Sequence, residues 1–180
     1  MKPLDRLGDH ERAVIDERTA TGYRVPQLQH FADLEPVLRA LLALLVPGVP
    51  ASIDLAAFVD THAGRPLGRG DRRDGLPPEP ELFAAGLAAL AGAGFIDWTD
   101  DRQRAFVRRM RRGEADDELG LPAKDFVDRV LDKALAGYLA HPDTWSRIGF
   151  TGPAYPEGYA WIGPAEAIAR HEQKPGWDRL

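Results

Sequence analysis

The chain has 180 residues, a net charge of −5, 44% hydrophobic and 28% charged residues, and no cysteine. A domain of this length buries roughly 70% of the surface its unfolded form exposes, so one core needs no staples, and the missing cysteine excludes disulfides, thiolate nucleophiles and cysteine-ligated zinc or iron–sulfur centres. The acidic balance argues against a protein that works by neutralising nucleic-acid phosphates and favours a protein partner.

Residues 1–32 read as an extended N-terminal arm, and residues 33–180 as the helical domain. In the arm Val14, Ile15, Tyr23, Val25, Leu28 and Phe31 keep no period, and Gly22 and Pro26 interrupt it, leaving room for a short helix around Glu11 to Arg18. No apolar block in this stretch resembles a signal-peptide core, and the longest apolar run, Ala40 to Val46, is far short of the roughly 18–20 residues of a membrane span. A soluble, cytoplasmic chain is expected.

The first strong helix is predicted to start at Asp33 as cap, with Glu35 and Pro36 in its first turn, and to carry Leu38, Leu41, Leu42 and Leu45 to the Pro47, Gly48 stop. A second follows Ser52 as cap, turns Ile53, Ala56, Ala57 and Val59 inward, with Phe58 as a further inward candidate, and ends near Ala63 and Gly64. Residues 64–79 are dominated by Gly, Pro, Arg and Asp and read as a mobile loop. The third helix has Pro80 near its start and Gly94 as its end signal, with Leu82, Phe83, Leu87, Leu90 and Ala91 inside and small Ala and Gly positions that admit a close neighbour. Thr99 is placed as cap of the fourth, whose Asp100 and Asp101 lie at the N-terminus and whose Arg108, Arg109, Arg111 and Arg112 lie at the C-terminus, matching the helix dipole at both ends. The fifth is the clearest: Phe126, Val127, Val130, Leu131, Ala134, Leu135 and Tyr138 recur at helical spacing. A loop-rich aromatic stretch and a short amphipathic piece from Ala165 to Arg170 complete the chain. The fold class is therefore all-α, a single domain of five to six helices, with Leu38, Leu41, Leu42, Leu45, Leu87, Leu90, Val127, Val130, Leu131 and Leu135 in the core.

Signals for chemistry are sparse. Neither GxGxxG nor GxxxxGK[ST] occurs, so phosphate cradling by this chain is not expected. His10, His30, His62, His141 and His171 never stand three or four apart, as helical metal ligands would. Asp116, Asp117 and Glu118 read as a solvated loop that screens the preceding arginines rather than as an acid–base pair. Ser52 and Thr99 are explained as caps, and Ser146 and Thr151 fall in loops with no nucleophile elbow. No catalytic, cofactor or metal residue is assigned. Arg102 to Arg112 carries six arginines in eleven residues, spread over several faces. A solvated rim is the plain reading; a contact for an acidic protein partner, as in a free-standing helical adaptor, is the alternative.

Residues 138–161 concentrate Tyr138, Trp145, Phe150, Tyr155, Tyr159 and Trp161 among Pro142, Gly149, Gly152, Pro153, Pro156 and Gly158. Rings on a stiff Gly/Pro loop suit a recognition surface, since they gain contact area at little rotamer cost, and they equally suit a cover over the helical core. The order Leu135, Gly137, Tyr138, His141, Pro142, Trp145, then Ile148, Gly149, Phe150, Thr151, Gly152, Pro153 resembles the C-terminal signature of the gluconate 2-dehydrogenase subunit 3 family. The leucine helix ending at Val46 and Pro47 and the Phe58, Val59, Asp60 helix are also similar to that family's N-terminal part. The resemblance implies a non-catalytic accessory subunit of a hetero-oligomer, with FAD in a partner chain of the glucose-methanol-choline oxidoreductase type that oxidises a sugar, sugar acid or glycoside. It further implies a partner interface at Tyr138, Trp145, Ile148, Phe150, Pro153, Tyr155 and Tyr159. Two features depart from the pattern: only Asp143 and Thr144 separate Pro142 from Trp145, where the family has a longer Gly-Gly-Asn-like stretch, and the family's frequent twin-arginine signal is missing.

Overall fold

The structure, a computed structural model, describes residues 30–63 and 75–150 together with Gly8, Asp9, Arg12, Ala13, Ile15 and Asp16. Among the described residues there is no strand. Five helices of nine residues or more, α1 (Glu35–Leu45), α2 (Leu55–Ala63), α3 (Glu79–Gly92), α4 (Asp100–Arg111) and α6 (Ala123–Ala140), are accompanied by two of four residues, α5 (Asp116–Leu119) and α7 (Pro142–Trp145). The all-α reading holds, with the two single turns added to the five strongly periodic segments. Most of the 1–32 arm, residues 64–74 of the expected loop and everything after Phe150, including the Ala165 to Arg170 piece, lie outside the described residues.

The long helix α6 organises the core. It packs against α2, α3 and α4, and buries Phe126, Val127, Val130, Ala134 and Gly137. Two helical glycines set the spacing. A Cβ on Gly86 of α3 would stand 2.5 Å from the Phe126 ring, and one on Gly137 of α6 would stand 2.7 Å from Phe58. Each ring therefore lies directly on the backbone of the facing helix, the close approach that small residues permit. Leu38 and Leu41 of α1 and Leu82, Phe83, Leu87 and Leu90 of α3 complete a core in which all six are essentially inaccessible.

Several local expectations are corrected. Leu135 is 37% exposed, because at about 100° per residue it falls half a turn from Phe126 and outside the arc that α6 turns inward. The same arc captures Lys133, which is buried. Leu45 and Leu131 are half-buried, and Ala91 is exposed. The arm does not stop short of the domain, for Phe31 lies in the core. A 3-10 turn, Ala32–Leu34, takes up Asp33, so α1 starts at Glu35 with Leu34 in the cap position. Thr99 stands in the cap position of α4 with an extended backbone, yet its hydroxyl makes no capping bond; the two aspartates of the first turn serve that end. The last part of the expected 64–79 loop is built into the fold, with Leu76 buried and Glu79 opening α3.

Two polar contacts, one buried and one partly exposed, hold the elements in place. The Asp60 carboxylate, wholly inaccessible, accepts from the His30 amide at 3.0 and 3.2 Å and from the Phe31 amide at 2.7 Å. It fixes the chain's entry to the core against α2. Glu79 meets Arg129 Nη1 at 3.2 Å and Lys133 Nζ at 2.7 Å, the latter a charge contact rather than an aligned hydrogen bond, tying the start of α3 to α6.

Candidate functional site

The residues singled out from the sequence separate into two environments. Tyr138 is half-buried and packs against the core. Trp145 is only 8% exposed and meets Phe150 edge to face, with ring centroids 5.1 Å apart. Ile148 and Phe150 stand 47% and 43% exposed. Pro153, Tyr155 and Tyr159 lie outside the described residues. Of the two placements open to the rings, Trp145 thus takes the covering one, whereas Phe150 faces solvent.

What places them is a short hook after α6. His141 ends the helix with an extended backbone, and Pro142 opens α7 with its φ already suited to a first helical turn. His141 Nδ1 accepts from the Asp143 amide at 3.2 Å, capping that turn. The Thr144 hydroxyl, fully buried, lies 2.7 Å from the carbonyls of both Tyr138 and His141, to which it donates. Burial pushes the His141 imidazole below its ordinary value, against the weaker upward pull of Asp143. The ring is neutral at pH 7, consistent with Nδ1 acting as an acceptor.

The hook is anchored on the connection between α1 and α2. Ser52 donates to the Asp143 carboxylate, and Arg147 Nη1 donates to the Gly48 carbonyl at 2.9 Å. Ser52, read from the sequence as the cap of α2, is used here instead. The cap is Asp54, whose Oδ1 accepts from the Ala57 amide at 3.0 Å, three residues into the helix as an N-cap should be. Asp54 also receives both terminal nitrogens of Arg39 at 3.0 Å, while Arg39 Nε donates to Glu35 at 2.6 Å. Burial raises the Asp54 carboxyl, but the hydrogen bonds from Arg39 and the helix amides outweigh it and leave the group below its usual value. Hydrogen bonding to Asp54 raises Arg39 in turn. Between these residues an open groove of about 340 Å³ is walled by Leu42, Val46, Val49 and Ile53.

Ser52, Asp143 and His141 lie close together without forming a nucleophile–base pair. The carboxylate stands between serine and histidine, and His141 Nδ1 is taken up by a backbone amide, whereas a catalytic serine needs the imidazole as its immediate acceptor. Among the described residues no group of three or more His, Asp or Glu side chains is placed to hold a metal ion.

Asp116, Asp117 and Glu118 form the helical turn α5 rather than a loop. The screening role expected for them is seen at Arg109, 2.9 Å from Glu118, while Asp116 accepts from the Ala123 amide at the start of α6. Arg112, just past the end of α4, pairs with Glu114, and Arg102 in the first turn of α4 lies 3.9 Å over the Trp98 ring. Arg104 and Arg108, one turn apart, are exposed and have no carboxylate partner among the described residues.

Sequence patterns pointed at the aromatic residues and overlooked the Arg39–Asp54 clamp, Asp60 and the groove. Asp54 carried a usable signal as the last polar residue before an apolar helix. Asp60 shares the face of Ala56, Val59 and Ala63, which marks a buried polar group. Comparison with family models, with curated proteins and with solved structures finds no match to this chain.

Proposed function

We propose that this chain is a small accessory subunit that binds and stabilises the flavin-containing catalytic chain of a sugar, sugar-acid or glycoside oxidoreductase of the glucose-methanol-choline type, and contributes no catalytic residue. FAD belongs to the partner in this reading. Its first support is the residue order from Leu135 to Pro153, which resembles the signature of the gluconate 2-dehydrogenase subunit 3 family. The observation that carries it further is the exposure of Ile148 and Phe150 on a turn whose base is tied down through Asp143 and Arg147. Large apolar side chains presented on a pre-ordered turn lose little conformational freedom on binding, so their contact area converts efficiently into affinity. Purifying the catalytic partner with and without this chain tests the proposal. Higher yield and flavin content are expected in its presence; equal yield, flavin content and turnover would reject it.

A second reading, a free-standing adaptor for an acidic protein, draws on Arg104 and Arg108. Exposed pairs such as Arg112–Glu114 contribute little net energy, but two guanidiniums on one helix face that have no carboxylate partner among the described residues can be completed by carboxylates of another protein. Charge reversal of both residues distinguishes the readings: it abolishes binding in the second and spares it in the first.

A further inference from the structure

The hook is closed by a hydrogen bond that exists in one protonation state alone. His141 Nδ1 accepts from the Asp143 amide at 3.2 Å, so it carries a lone pair in the folded chain. A protonated imidazole has N–H on both nitrogens; that amide would then meet another donor, and the first turn of α7 would lose its cap. The ring is 1% exposed, so a proton gained there must be answered by a carboxylate rather than by water.

The carboxylate within reach is already engaged. Asp143 Oδ2 stands 3.9 Å from His141 Nδ1, beyond hydrogen-bonding distance, and the same oxygen accepts from Ser52 on the α1–α2 connection. Bringing it to the roughly 2.8 Å of a charged pair draws it about 1 Å towards the ring and away from Ser52. Other charges around the hook do not substitute for it. Arg147 turns to the Gly48 carbonyl, and the α1–α2 connection carries no charged residue between Val46 and Ile53. On α6, Lys133 and Arg129 turn to Glu79, and Asp132 is exposed. With Ser52 released, the tie to that connection among the described residues falls to the exposed Arg147–Gly48 hydrogen bond.

We infer that His141 is a proton-operated latch: the neutral ring caps α7 and leaves Asp143 to Ser52, whereas the protonated ring claims Asp143, uncaps α7 and biases the hook away from the α1–α2 connection. Burial outweighs the pull of Asp143 and holds the closed ring below its ordinary value of 6.5. Proton uptake therefore favours the open hook as pH falls below about 6.5. Trp145, through which the hook covers the fold, lies outside the main core cluster, so the opening is local. Weaker partner binding in acid, through a loosened Ile148–Phe150 turn, rests on the function proposed above; the latch does not.

Hydrogen exchange of the full chain, read by mass spectrometry at about pH 7.5 and about pH 5 and corrected for the pH dependence of exchange itself, tests the latch. Protection across residues 141–150 should fall at least about fivefold, and at most about thirtyfold for an open-hook value of 6.5, while residues 126–138 stay protected. In His141→Asn, whose Oδ1 replaces Nδ1 as a neutral acceptor, the hook should stay closed at both pH values. Equal protection of the parent at both pH values, simultaneous loss across residues 126–138, or an unchanged acid response in the variant would overturn the inference. If the variant is unprotected at both pH values, the parent decides: its His141 Cε1–H resonance, identified by its absence from the variant, must titrate over the pH range in which the hook opens, and opening outside that range overturns the latch. Affinity for the purified flavoprotein is read separately. A hook that opens in acid with that affinity unchanged keeps the latch and removes the hook from the partner interface.

Discussion

Replacing Trp145 with alanine tests whether this ring is a cover of the fold or an anchor for the partner. The indole is 8% exposed, and an aromatic side chain buries about 150–250 Å², worth roughly 4–6 kcal/mol at about 25 cal/mol per Å². That figure is an upper bound, because an unfolded chain already shelters some apolar surface. The ring also lies outside the main cluster, and its edge-on neighbour Phe150 is 43% exposed and free to close over a void. The loss should therefore fall at the low end of the range for large aromatic truncations, about 3 kcal/mol. For a chain of this size that lowers the melting temperature by roughly 6–12 °C. Thermal melts followed by far-ultraviolet circular dichroism provide the measurement, with Phe150→Ala, the exposed half of the pair, losing about 1 kcal/mol or less. A Trp145→Ala melt within about 2 °C of the parent, combined with lost partner binding, would refute the covering role and restore the ring as an anchor.

Gly86→Ala should destabilise the fold although alanine favours helix by about 1 kcal/mol, because a methyl 2.5 Å from Phe126 forces repacking that costs about 1–3 kcal/mol; a raised urea midpoint would show that the ring does not lie on the α3 backbone. Asp60→Ala strands the His30 and Phe31 amides and should cost about 2–4 kcal/mol in urea denaturation; an unchanged midpoint would remove its role in fixing the chain's entry. His141 is held below its ordinary value of 6.5 by burial. The unfolded chain therefore binds the extra proton first, and stability present above about pH 6.5 is lost as pH falls toward the lowered folded value, by at most about 1.4 kcal/mol per pH unit. Urea midpoints from about pH 7.5 down to 5 should show this slope in the parent and lose it in His141→Gln; identical slopes would mean the imidazole is not desolvated.

Composition and periodicity alone determined the fold class, the five longer helices and most of their inward residues, because a 3.6-residue repeat of leucines and valines is a local property. The absence of cysteine chemistry was likewise decided by residue types. Local patterns could not decide which arc of a long helix meets its neighbours. Leu135, expected in the core, is exposed and Lys133 is buried because α6 lies among α2, α3 and α4, a fact set by packing and not by hydropathy. Ser52 reads as the cap although Asp54, the last polar residue before the apolar run, is the one used; that Ser52 serves Asp143 of the hook and that Asp54 also holds Arg39 of α1 are tertiary facts. Trp145 and Phe150 look alike in the sequence, yet one covers the fold and the other faces solvent. The anchoring of the hook on the α1–α2 connection was beyond any local reading, for the contacts that make it, Ser52–Asp143 and Arg147–Gly48, span 91 and 99 residues. Only the folded chain brings those carboxylate, guanidinium and apolar groups within reach of one another, because their proximity is paid in loop-closure entropy that the packing of α2 on α6 must first offset.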